Sequence, residues 1–176
     1  MVEIAPRHRL VVGVDGTANS VSALRWAAEQ ALRFRNAEIW AVHTWYRWST
    51  GMASAPDAVT DVWSHENARW WAEGTTLHTT VSAAFGDNVG CPVRKILDFG
   101  APAGILLRYA AHADLLVLGS RTRHDLGIHA TAVAGPTARA CRQHATCPVV
   151  VVASAARTTA RLHVKHVATS SQHVIV

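Results

Sequence analysis

The residues best able to do chemistry cluster between Ala113 and Ala153. There the apolar run Leu115-Leu116-Val117-Leu118 ends on Gly119, a basic stretch with Arg121, Thr122, Arg123 and His124 follows, and Gly135-Pro136-Thr137 opens a short helical pattern. A strand that runs through glycine into a loop and then a helix N-terminus presents unpaired N–H groups and the positive end of a helix dipole, which suits phosphate. Arg121, Arg123 and His124 add cationic donors to the same loop. Read without a ligand, those three make a solvated basic loop. A carboxylate arrives from the other end of the chain, where Arg9-Leu10-Val11-Val12-Gly13-Val14 reads as a strand delivering Asp15 to a turn at Gly16-Thr17. Asp15 in that setting either meets a ligand or only forms the turn and caps a helix.

The elements that must position these groups follow from periodicity. After the first strand, Asn19 or Ser20 can cap a helix whose apolar positions Val21, Leu24, Ala28, Ala31 and Leu32 recur at helical spacing. Glu38–Thr44 restores strand character, and the helical crossover predicts that it lies parallel to the first. A loop with Trp45 and Trp48 follows, whose indoles could cover a ligand or a partner but are rather expected to pack over the end of the sheet. From Pro56-Asp57 a long amphipathic helix carries Val59, Trp63, Trp70, Gly74, Leu77 and Val81 on one stripe and ends at Gly86-Asp87-Asn88. Its tryptophans are expected in the core. Pro92–Asp98 reads as an edge strand with charged positions facing water, and Gly100-Ala101-Pro102 turns the chain into another helix. Asp114–Gly119, unbroken in hydrophobicity, reads as a central strand, and Pro148–Ala153 completes a βαβαβαβαβ alternation. That pattern specifies an α/β fold on a five-stranded parallel sheet. Residues 154–176 differ in composition and read as a flexible tail or an added strand.

The 176 residues, 49% of them hydrophobic, suffice for one core. No apolar run approaches the length of a membrane span and the first residues do not read as a signal peptide, so a cytoplasmic location is expected. Cys91, Cys141 and Cys147 form no CxxC pair and read as small buried hydrophobes rather than a disulfide framework or zinc site. The net charge of +5 comes from arginines spread along the chain with no nucleic-acid motif, which favours a small anionic ligand over a polynucleotide. His163 and His166, and His124 and His129, lack a third ligand at recognisable spacing, so no metal is expected. No nucleophile, P-loop or kinase motif is present, and no catalytic residue is assigned.

Three segments in order carry a family likeness: ValValGlyValAspGlyThr with the helix after it, GlyAlaPro at 100–102, and AspLeuLeuValLeuGlySerArg with HisAlaThrCysProValValValVal. Over about residues 8–153 the chain resembles the universal stress protein family, with 154–176 left as a tail. The resemblance implies a Rossmann-like sheet of order 3-2-1-4-5 with helices on both faces. It also implies a homodimer through the last strand, Pro148–Ala153, and a stress-response role in which some members bind ATP. The binding members carry Gly, two residues, Gly, nine residues, then Gly followed by Ser or Thr. Gly119 and Gly135 match the first and third glycines.

The departures lie between them. Thr122 stands at the second glycine, where a β-branched residue in a positive-φ position costs about 1–2 kcal/mol. Residues 123–134 make twelve where the pattern has nine, and Pro136 replaces the usual hydroxyl residue, removing an N–H that Thr137 can partly offset one position later. By the same matching, Gly13, Val14, Asp15 and Thr44 would meet the adenosine half of a nucleotide. Leu118, Gly119, Arg121, Thr122, Arg123, Gly135, Pro136 and Thr137 would line its phosphates. Two readings stay open: a regulatory protein binding ATP or another adenine nucleotide, and a nucleotide-free dimerisation module that kept the fold. Apolar ProValValValValAla also needs a neighbour at its edge, either a second copy or the tail.

Overall fold

In the computed structural model the residues described are 8–34, 36–46, 59–86, 90–124, 130–153 and 173–175; of 59–66, 122–124, 130–132 and 173–175 only the backbone is described. The elements run β1 (His8–Val14), α1 (Ala18–Ala31), β2 (Ala37–Trp45), α2 (Val59–Phe85), β3 (Val93–Phe99), α3 (Pro102–Ala110), β4 (Leu115–Gly119), β5 (Arg121–His124), β6 (Ala130–Val133), α4 (Pro136–His144), β7 (Val149–Val152) and β8 (His173–Ile175). The main sheet has the order β3-β2-β1-β4-β7-β8. Its five family strands therefore stand in the expected 3-2-1-4-5 order, all parallel, with β8 added parallel to β7.

Period-two alternation splits each central strand between two cores. Leu10, Val12, Ile39, Ala41, Val117 and Val150 face α1 and α2, packing on Leu24, Ala27, Leu77 and Val81. Val11, Val42, Leu116, Leu118, Val149 and Val151 face α3 and α4, packing on Ile105, Leu106, Ala138 and Cys141. Strands covered on both faces read as unbroken apolar runs, which is why β1, β4 and β7 were legible. At the edge, β3 leaves Arg94 and Lys95 exposed, as its sequence predicts. Burial pushes the Cys141 thiol up to about 11, with Cys147 nearby adding to the effect; Cys141 and Cys147 are buried as expected of small hydrophobes, whereas Cys91 is only partly buried. Among the described residues no helix is long and apolar enough to cross a membrane.

Several local expectations are corrected. The N-cap of α1 is Thr17, not Asn19 or Ser20: its Oγ1 accepts from Ser20 N, and Ser20 is instead buried with its hydroxyl donating to Thr17 O. Trp70 is 47% exposed, stacked edge-on against the more exposed Trp71, so the helical stripe places Leu77 and Val81 in the core but not this indole. The reason is reach: α2 extends well beyond the part that lies over the sheet. Trp45 packs edge-on against Phe99 at the end of the sheet, as expected, while Trp48 and the Trp63 side chain lie outside the described residues. The basic loop after β4 is an antiparallel hairpin, β5 with β6, pairing Arg121 with Val133 and Thr122 with Ala132. The outer edge of β7 is not bare, because β8 pairs with it from Val149↔His173 to Val151↔Ile175. A homodimer through Pro148–Ala153 would need β8 to leave that edge.

Two polar links hold the periphery. Arg25 donates to the carbonyls of Ala83 and Ala84, satisfying the last turn of α2 from α1. Asp98 ties β3 to α3: Oδ1 accepts from Phe99 N at 2.8 Å, and Oδ2 accepts from Tyr109 Oη at 2.8 Å and from Arg108. Burial alone would raise the Asp98 carboxyl, but the Tyr109, Phe99 and Arg108 donors outweigh it and hold it below its ordinary value. A depressed carboxylate contributes stability above its unfolded pKa and loses it as pH falls through the folded one. Asp98→Asn is therefore expected to cost on the order of 1 kcal/mol at neutral pH. The difference from wild type should close as pH falls below the ordinary carboxylate range. Thermal melts of both proteins across that range check the sign; a gap that widens in acid contradicts it.

Candidate functional site

The site opens where the strand order turns back. β1 pairs with β4 only from Leu10↔Leu115 to Val12↔Val117, although each strand runs on for two more residues. Beyond that point the chains diverge: α1 leaves to one face of the sheet, while α4 returns over the other. A crevice at the C-terminal ends of the strands is the usual ligand position in open α/β sheets. Here it is a cavity of about 340 Å³, within the range of small-molecule sites.

Its wall contains Gly13, Val14 and Asp15 from the end of β1, Thr44 from β2, Leu118 and Gly119 from β4, then Arg121, Gly135, Pro136 and Thr137. These residues are far apart in the chain, and the fold brings them together. Thr122 and Arg123 are placed on β5, with side chains outside the described residues. Extended backbone accommodates a β-branched residue, so the positive-φ penalty expected for Thr122 does not arise. The extra residues of the segment build the hairpin instead of lengthening an open loop.

The individual roles differ from expectation. Asp15 Oδ1 accepts from Thr17 Oγ1 at 2.6 Å and from Thr17 N at 3.1 Å, so its turn-forming role is realised while the exposed carboxylate still faces the cavity wall. Its other oxygen has no protein hydrogen bond among the described residues. Gly119 does not have positive φ; a Cβ there would sit 2.8 Å from the carbonyl carbon of Asn19, so this glycine lets the end of β4 touch the first turn of α1. Gly135 is the N-cap of α4, and the Arg121 stem lies across it, with Cδ 3.4 Å from where a Cβ would be.

Donors and charges converge on the cleft. α3 and α4 both begin with proline at their first turn, Pro102 and Pro136, and neither N-cap, Ala101 or Gly135, supplies a side-chain hydrogen bond. Both prolines line the cavity. First-turn N–H groups of two helices are thus left for whatever fills it. Ser120, also in the wall, is 7% exposed, and its Oγ has no hydrogen-bond partner among the described residues. Leaving a buried hydroxyl unpaired costs about 1–3 kcal/mol. Sequence reading passed over Ser120, although its place directly after the strand-ending Gly119 was the available signal.

A second omission is His43, buried in the same wall. Its Nδ1 lies 2.7 Å from Val14 O and its Nε2 2.8 Å from Glu73 Oε2. Two acceptors on one imidazole require a proton on the Nε2–Oε2 axis besides the one Nδ1 donates to the carbonyl. This link fixes α2 to the end of β1 through β2. Its only sequence signal was a histidine on the inward-facing register of a strand. No group of three or more His, Cys, Asp or Glu among the described residues is arranged to hold a metal.

The model of the universal stress protein family matches residues 6–153. The chain belongs to the universal stress protein family. A universal stress protein of Mycolicibacterium smegmatis is 29% identical over 153 residues, which is 86% of this chain and 50% of that protein. The chain spans about half the length of the curated relatives it matches. Among solved structures, the universal stress protein UspA of Lactobacillus plantarum superposes with a TM-score of 0.58 at 19% identity, covering 84% of this chain and 99% of that one. A universal stress protein family protein from Arabidopsis thaliana, solved with AMP bound, gives a TM-score of 0.53 at 20% identity, covering 85% and 93%. A universal stress protein in complex with cAMP gives 0.54 at 22%, covering 82% and 96%. At these identities the structural likeness shows the fold, and the family is that of stress-response proteins.

The two glycines make opposite predictions. Gly119→Ala forces a methyl against Asn19 backbone and is expected to lower stability by about 1–3 kcal/mol, whereas Gly135→Ala meets only the flexible Arg121 stem and should leave the melting temperature nearly unchanged. Thermal unfolding of the two variants side by side checks this. Equal effects would refute the assigned roles.

Proposed function

We propose that the cleft binds an adenine nucleotide, ATP or a shorter-chain relative, as a regulatory ligand. The observation that carries the reading is the cavity into which α3 and α4 open without side-chain caps, with the Arg121 stem lying against Gly135 at the mouth of α4. Such a set of donors fits anionic oxygens. Arg121, whose stem lies against Gly135, brings a cation to the mouth of α4, where Pro136 has no N–H to offer. Asp15, Val14 and Thr44 stand across the cavity and are suited to the ribose and base, a carboxylate accepting from sugar hydroxyls. The AMP and cAMP complexes of the two fold relatives support this choice of ligand class.

The role is binding rather than turnover. His43 is the imidazole of the cleft wall, and both its nitrogens are already engaged by Val14 O and Glu73, so it is not free to take a proton from substrate. A second reading, a nucleotide-free interaction module, is favoured by Pro136, which removes one donor from the mouth of α4.

Calorimetric titration of the full chain with ATP and with AMP distinguishes the two. One site per chain is expected. Asp15→Ala should weaken binding about ten- to a hundredfold. No heat and no thermal shift at millimolar nucleotide would leave the interaction module as the surviving reading.

A further inference from the structure

We propose that β8 is an intramolecular cap on the outer edge of β7, and that it competes with a second copy of this chain for that edge. All four residues of β7 are buried, and the strand is held by β4 on one side, from Leu116↔Val149 to Gly119↔Val152. On the other side its partner is β8, parallel and in register over three residues. Without β8 the ladder groups of β7 facing away from β4 would be open to another strand, and the sequence Val149-Val150-Val151-Val152 holds none of the charges or prolines that blunt exposed edges.

The length of the tail fits this role. A parallel neighbour must begin at the same end of the sheet as β7, so the chain has to travel back before it can pair, which takes a dozen or more residues. Nineteen residues, 154–172, separate Ala153 from His173. They lie beyond residues 6–153, which match the family, so the cap is supplied by a segment outside the shared domain.

The cap is also weak by construction. Three paired residues give few ladder bonds to hold the strand in place. Once β8 leaves, the edge of β7 fits the same edge of a second copy, and the two-fold symmetry of such a pair makes the strands antiparallel. β8 therefore sets the balance between a capped monomer and an uncapped dimer. The inference does not depend on nucleotide binding.

The test keeps the full chain. Val174→Pro/Ile175→Pro removes donors from β8, since one of two adjacent strand residues faces the ladder. Val174→Gly/Ile175→Gly weakens the same strand more gently. Light scattering of wild type at micromolar concentration is expected to give the 19.0 kDa monomer. Both variants should shift to twice that mass, with a dimerisation midpoint at least tenfold lower in concentration than wild type. Variants that remain monomeric with the wild-type melting transition would overturn the proposal. So would a wild type that dimerises as readily as they do.

Discussion

The pairing of β1 with β4 is the constraint on which the rest depends. The strand order reverses between them, and their ladder stops at Val12↔Val117 while both chains continue. Before that point the two strands share both cores, with Val11 and Leu116 on one face and Val12 and Val117 on the other. After it, exposed Asp15 and buried Ser120 both belong to the wall of a crevice. The position of every group in the cleft follows from where the ladder ends. Gly13 and Gly119 make that divergence compact, the first by admitting Leu118 Cδ2, the second by letting β4 reach the backbone of α1.

Polarity inside this crevice is unevenly satisfied, and the unevenness separates scaffold from site. His43 is fully occupied, between Val14 O and Glu73, and belongs to the framework that holds α2 against the sheet. Asp15 is half committed, to Thr17. Ser120 and the first turns of α3 and α4 are uncommitted. The Ser120 hydroxyl, buried without a partner among the described residues, is a net cost to stability.

The hairpin β5–β6 changes how the departures from the family's glycine pattern are understood. Thr122 is unsuited to a tight phosphate loop but well suited to a strand, and its neighbours in 130–133 provide the opposing strand. The insertion thus folds on itself and still brings Arg121 back over Gly135. At the far edge of the sheet a second addition, β8, pairs with a strand that would otherwise be exposed.

The sequence by itself determined the alternation of strands and helices, the parallel sheet and its central strands, because residues buried on both faces must be apolar and their runs are visible without coordinates. It also determined most of the cleft wall, since Asp15, Gly119 and Gly135-Pro136-Thr137 stand at element ends, where turns and helix starts leave local signatures. Tertiary structure alone decided what depends on contacts between distant segments. Helical spacing put Trp70 on the same stripe as Leu77, yet only the reach of the sheet beneath α2 decides which of them is covered. The reason for Gly119 lies a hundred residues away in Asn19, and the pairing of His43 with Glu73 crosses two elements. That β7 meets β8 was equally undecidable from pattern, because an apolar strand states that it needs a neighbour without stating which one.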